Sequence, residues 1–239
     1  MILKILVLLV SVAQVAAAAF LSIGTFEDSA RDLPVLIQPA GWAFSIWGLI
    51  YALAIVYGVY QIIPKYDNKT LQATRLPALI GFLGSIVWLY FAGMSDWTTW
   101  LTIPVLFAMA IAFTYVVRAP ETNDIWQNRF SKYILLPYAA WAGIASWINV
   151  QALLLERNVV TTEGVNVATN VALFIGIVVF TMYYYKKTGY KVWYGGVMVW
   201  AAVSVAIVNY QREDWLFMVL AGAFAITAAL LCCRYKRRG

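Results

Sequence analysis

The 239-residue sequence contains no histidine, and this absence removes more chemistry than any other. Without imidazole there is no His-ligated haem or chlorophyll, no His-bound zinc or di-iron centre, and no Ser-His or Cys-His nucleophile pair. Cysteine is almost as scarce. Cys232 and Cys233 are the only two, and as neighbours they strain a disulfide and do not match CxxC spacing, so they read as small apolar filler. Charge is low as well: 12% of residues are Asp, Glu, Lys or Arg, against roughly 25% in a soluble domain. No charged residue falls near the middle of a long apolar block. That argues against a proton pump, a proton-coupled carrier, a voltage sensor and a retinal Schiff base.

What is present is apolar. Hydrophobic residues make up 63% of the chain and the mean hydropathy is +0.77. The apolar residues fall in eight blocks, near 5–24, 41–63, 77–95, 100–117, 133–155, 167–185, 192–211 and 215–233. Blocks of about 20 residues are long enough to cross a bilayer as helices. They do not alternate as the strands of a membrane barrel would. The fold class that follows is all-α: a polytopic integral membrane bundle of about eight transmembrane helices. The first block, with Lys4 before an apolar run that ends in Ala16–Ala19, also has features of a signal peptide. Its uncharged run is long for a signal core, and it is read as a true span.

The connectors divide by charge. With the N-terminus inside, one side collects Lys4, Lys65, Lys69, Arg75, Arg118, Arg129, Lys132, Lys186, Lys187, Lys191 and the tail Arg234, Lys236, Arg237 and Arg238. The other side receives only Arg31, Arg157 and Arg212, and most of the acids: Glu27, Asp28, Asp32, Asp96, Glu156, Glu163, Glu213 and Asp214. By the positive-inside rule both termini lie on the cytoplasmic side. The net charge of +6 is then a topology signal and an attraction to anionic headgroups. Nothing points to nucleic acid. A bacterial inner membrane, or a thylakoid or mitochondrial membrane, fits this chain.

Aromatics are the unusual excess, with 11 Trp, 15 Tyr and 12 Phe. Trp97, Trp100, Trp126, Trp193 and Trp215 fall at span ends, where amphipathic rings sit at headgroup depth. Trp47, Trp88, Trp141, Trp147 and Trp200 lie deeper. Either they pack between helices or they form the wall of a site for a flat apolar ligand. In the fifth block Trp141, Ala145 and Asn149 recur every four residues and share one helix face, with Pro137 in the first turn. Neutral polar residues inside the blocks, among them Ser85, Ser146, Gln151 and Asn209, are expected to bond between helices.

Two segments carry a resemblance. The first is Gln38-Pro39-Ala40-Gly41-Trp42-Ala43-Phe44-Ser45-Ile46-Trp47-Gly48-Leu49-Ile50-Tyr51; the second is Pro137-Tyr138-Ala139-Ala140-Trp141, continuing to Ala145 and Asn149. In this order, over about residues 1–158, the chain resembles the TspO/MBR family of tryptophan-rich sensory and translocator proteins. The resemblance implies a TspO-like five-helix bundle in residues 1–158 and three further spans with a basic tail in 159–239. It implies a pocket for a tetrapyrrole such as porphyrin, or for a sterol or other lipid. Trp42, Trp47, Trp88, Trp141, Ala145 and Asn149 would be its ligand-binding residues, and Pro34 and Pro39 would mark a lid loop. The chain departs from the family's usual pattern at Ser85, where an Asn is expected three residues before the Trp, and in having a single Pro-Ala-Gly in the first loop.

The function expected is therefore binding of a flat apolar ligand for sensing, regulation or transport. Such a role needs no cofactor and no metal. Its partners are the bilayer, a small apolar ligand and either a second copy of the chain or a larger membrane complex. An ordinary enzyme is not supported, because no buried carboxylate pair could divide acid and base work. Light-dependent porphyrin breakdown is implied only by the resemblance. Two other readings compete: a non-catalytic assembly subunit of a photosynthetic or respiratory complex, and a small-solute transporter.

Overall fold

Hydrocarbon offers no water to backbone N–H and C=O groups, so long apolar segments satisfy them internally as helices. The computed structural model describes residues 1–21, 33–94 and 97–236, and shows no strand among them. Glu27, Asp28, Arg31, Asp32, Asp96, Arg237 and Arg238, which enter the charge count above, lie outside the described residues.

The helices are α1 (Ile2–Leu21), α2 (Ile46–Tyr60), α3 (Lys69–Ala92), α4 (Thr102–Tyr115), α5 (Ile125–Tyr133), α6 (Leu136–Glu156), α7 (Glu163–Lys187), α8 (Val192–Gln211) and α9 (Trp215–Lys236). Among the described residues eight helical stretches are long and apolar enough to cross a membrane, with α5 and α6 counted as one. Each overlaps one of the eight apolar blocks. Exposed Leu49, Val56, Ile175, Val179, Ile226 and Leu230 give these helices an apolar outer surface, as a lipid environment requires.

The chain forms two compact units, Met1–Phe26 with Ile46–Ala142, and Glu27–Ser45 with Gly143–Gly239. These units are drawn by contact, whereas the expected division at residue 158 follows motif and span count. In the first unit α3 is the central element and packs on α1, α4 and α5, while α1 also packs on α2. The buried stripe of α2 (Trp47, Ile50, Tyr51, Ala54, Tyr57, Gly58) recurs every three to four residues, one face of a helix. Close packing of α3 on α4 requires Gly81 and Gly84. A methyl group at Gly81 would lie 2.1 Å from the ring of Phe113, and one at Gly84 would lie 2.5 Å from Met109.

Two boundaries differ from the sequence reading. The third span begins at Lys69 rather than near residue 77, because the Asn68 side chain caps the helix by accepting from the Leu71 N–H at 2.8 Å. Arg75 is thereby brought inside α3 and is buried. Its guanidinium donates to the Gln61 side chain (2.9 Å), the Gln61 carbonyl (2.9 Å) and Asp67 (2.8 Å), while Lys4 donates to Asp67 at 2.6 Å. Hydrogen bonds from Lys4 and then Arg75 hold the Asp67 carboxyl at about 2, below its ordinary 3.8. The second difference is α5, a short helix where a connector was expected. Asp124 caps it, and its buried Asn128 bonds Thr70 and Thr122. Pro137 has no N–H to give the Tyr133 carbonyl, which separates α5 from α6.

In the second unit α8 packs on α9 and on α7. Along α7 the residues Asn166, Asn170, Leu173, Phe174, Ile177, Thr181 and Tyr185 form the buried stripe. Gly189 and Tyr190 turn the chain from α7 to α8 with φ of 67° and 57°.

Candidate functional site

In the first unit five aromatic rings from three helices meet. Trp47 and Tyr51 lie one turn apart on α2, Trp88 comes from α3, and Tyr138 and Trp141 come from the first turns of α6. Trp47 is stacked between two partners, with Trp88 at 5.2 Å (19° between planes) and Tyr51 at 5.4 Å (27°). Tyr138 and Trp141 present their edges to it at 5.7 and 6.3 Å. Phe113 stacks on Tyr138 at 4.4 Å and Phe82 lies beside both, so the cluster continues into the α3–α4 contact. All five rings are buried.

Lipid tails are as apolar as these rings, so water exclusion does little to drive such packing within a bilayer; van der Waals fit and hydrogen bonds must hold it. The polar atoms are therefore informative. Tyr138 is satisfied, its hydroxyl donating to the Gln14 side-chain amide oxygen (Oε1) of α1 at 2.9 Å. The Trp47 indole N–H and the Ser85 hydroxyl are buried without a hydrogen-bond partner among the described residues. Ser85 lies one turn before Trp88 and near the hydroxyls of Tyr51 and Tyr138. A buried polar group left unpaired costs about 1–3 kcal/mol. Two such groups fall within one aromatic cluster.

The second unit contains the other expected residues. Trp42 meets Trp200 edge-on at 4.9 Å, and the Trp200 indole donates to the Ala43 carbonyl at 3.0 Å. Ala145 is buried, and the Asn149 amide donates to its carbonyl at 2.9 Å, a bond within α6. Pro39 is buried and Pro34 is exposed. The Pro34 carbonyl accepts from Asn166 at 3.0 Å. Among the sequence-predicted residues, then, Trp47, Trp88 and Trp141 form one cluster in the first unit. Trp42, Ala145, Asn149, Pro34 and Pro39 belong to the second.

Sequence reasoning did not single out Tyr51, Tyr138 or Gln14 as members of the site. Tyr51 stands four residues after Trp47, and Tyr138 three before Trp141; one-turn spacing from a deep Trp is the signal that finds them. Gln14 could not be found this way, because its partner is distant in the chain.

A model of the family described as TSPO-like protein matches residues 1–234. The chain belongs to that family. The match runs through α7, α8 and α9, so the three helices expected to stand outside a five-helix core fall within it. Membership and the eight long apolar helices make this TSPO-like chain an integral, multi-pass membrane protein of the TspO type. No match was found among curated proteins or among solved structures.

Proposed function

We propose that this TSPO-like chain binds a flat, largely apolar ligand of the tetrapyrrole type among Trp47, Trp88, Trp141, Tyr51 and Tyr138. The observation that carries the reading is a pair of polar atoms, Trp47 Nε1 and Ser85 Oγ, that lie inside a cluster of aromatic rings with no hydrogen-bond partner among the described residues. A flat ligand entering between Trp47 and Trp88 exchanges one stacked contact for two. An acceptor on its edge, such as a carboxylate, takes the indole N–H. Recognition then rests on stacking, buried area and one or two hydrogen bonds, with no axial metal ligation. Sensing, regulation and transport all begin with such binding.

The test is a titration of the purified protein in lipid nanodiscs with protoporphyrin IX, followed by quenching of Trp fluorescence, with Trp141→Ala alongside. The expected result is saturable quenching in the micromolar range that weakens about tenfold or more in the variant, the loss of one large aromatic contact. Equal, non-saturating quenching in both proteins would overturn the reading. The rings would then be packing, and isolation with stoichiometric partners would become the measurement that matters.

A further inference from the structure

The two units differ in how their cations are met. In the first, Lys4 and Arg75 meet Asp67, and Lys132 meets Glu121. The second has Lys186 and Lys187 in the last turn of α7, Lys191 at the start of α8 and Arg234 in the last turn of α9. No Asp or Glu occurs in 164–212 or in 215–239. Tyr190, in the turn from α7 to α8, stacks on Tyr235 at 3.9 Å (16° between planes), which holds the last turn of α9, with Arg234, against that turn. At about 1.5 Å rise per residue, the 25-residue α7 keeps Glu163 roughly 36 Å from Lys187. That is several screening lengths of about 8 Å at physiological salt. The dipole of α7 offers about half a negative charge at this end, too little for two ammonium groups.

The face of α7 that leads to these cations is apolar and uncovered. Ile175, Val179 and Tyr183 are exposed and recur every four residues, and exposed Lys186 and Lys187 stand one turn beyond Tyr183. The Lys187 ammonium lies 5.3 Å from the centre of the Tyr183 ring, so a cation–π contact holds it at the head of the lane. We infer that this end of the second unit binds an anionic phospholipid, with an acyl chain along Ile175, Val179 and Tyr183 and the phosphate at Lys186, Lys187 and Arg234. The occupant is amphipathic, because the lane is apolar and its head is cationic. It is anionic, because these stretches of the chain supply no carboxylate. A second copy of the chain would bring the same cations and be repelled, and a soluble acidic partner would leave the lane unused. The site shares no residue with the aromatic cluster and does not depend on it.

Native mass spectrometry of the full chain in detergent, titrated separately with phosphatidylglycerol and phosphatidylcholine of the same acyl chains, tests this. Phosphatidylglycerol is expected to bind about tenfold or more tightly, and Lys186→Gln/Lys187→Gln to remove most of that preference, at about fivefold per lost cation. Arg118→Gln/Arg129→Gln, which removes two exposed cations of the first unit, should leave the preference within about twofold. Lys187→Gln alone gives a smaller loss of the same sign and serves if the double variant does not fold. Glycerol phosphate, which carries the anion without the chains, is expected not to compete. Equal binding of the two lipids by the wild type would overturn the site. So would an equal loss of preference in both double variants, which would assign it to net charge. Displacement by glycerol phosphate would make this a site for a free anion, and displacement by soluble polyglutamate as effective as phosphatidylglycerol would give the face to an acidic protein; either would overturn the lipid.

Discussion

Ser85 and Trp47 are two residues whose buried polar atoms have no partner within hydrogen-bond geometry among the described residues, with the Tyr51 and Tyr138 hydroxyls near Ser85. A protein optimised only for stability would replace Ser85 by Ala, since an unpaired buried hydroxyl is a net cost. Ser85→Ala is therefore expected to leave unfolding free energy unchanged or to raise it by up to about 1 kcal/mol, while weakening ligand binding. Thermal unfolding in detergent and a porphyrin titration on the same preparation check the two signs. A loss of both stability and binding would mean that the hydroxyl is already satisfied by Tyr51 or Tyr138.

Asp67 is a residue through which stability depends on pH. Its folded value of about 2 lies below the ordinary 3.8, so the charged form is favoured by folding. The contribution is fully present above about pH 4 and is lost as pH falls through the folded value near 2. Unfolding midpoints recorded across this window should fall with pH in the wild type and stay nearly flat in Asp67→Asn. An equal slope in both proteins would assign the effect to other carboxylates.

Among the elements, the eight spans were legible because their cores are free of charge, and this holds wherever a helix must satisfy its backbone in hydrocarbon. The start of α3 was not legible. Lys69 and Arg75 interrupt the apolar count, and Arg75 is tolerated inside the helix because Gln61 and Asp67, from other parts of the chain, accept its hydrogen bonds. The short α5 escaped notice for the opposite reason: it is polar and brief, and Asn128 is buried through tertiary bonds that no local pattern announces. Gln151 and Asn209 were expected to bridge helices. Gln151 does so to Asn166, but the Asn209 amide reaches the backbone of the segment before α2, and Asn166 and Asn170, not singled out from sequence, act the same way.

The α3–α4 contact gives the most direct test at this scale. Gly81→Ala drives a methyl group into Phe113, whose ring is stacked on Tyr138 and has no room to turn. Overpacking of this kind costs about 1–3 kcal/mol. A drop of that size in unfolding free energy is expected, with weaker porphyrin binding because Tyr138 moves. A neutral Gly81→Ala would contradict the close approach of α3 and α4.

For the whole molecule, the family membership and the eight-helix membrane architecture follow from residues spread along nearly the full chain. The candidate site was partly legible. Trp47, Trp88 and Trp141 stood out as deep tryptophans, and the two motifs carried Trp47 and Trp141. The stacking of Trp47 between Trp88 and Tyr51, and the unpartnered N–H that results, depend on how three helices pack, and periodicity along one helix does not encode that. The three last helices had no assigned role from sequence; asparagines of two of them, α7 and α8, hold the backbone of the segment that leads into α2.

The measurement that tests the central claim most directly is the affinity for protoporphyrin IX of the wild type, Trp47→Phe, Ser85→Ala and the double variant, all in nanodiscs of one lipid composition. A ligand held by the Trp47 N–H and the Ser85 hydroxyl should bind each single variant several-fold more weakly, about 0.5–1.5 kcal/mol per lost hydrogen bond, with a coupling term between the two sites. Four equal affinities would contradict the account, because the two polar atoms would then serve no ligand.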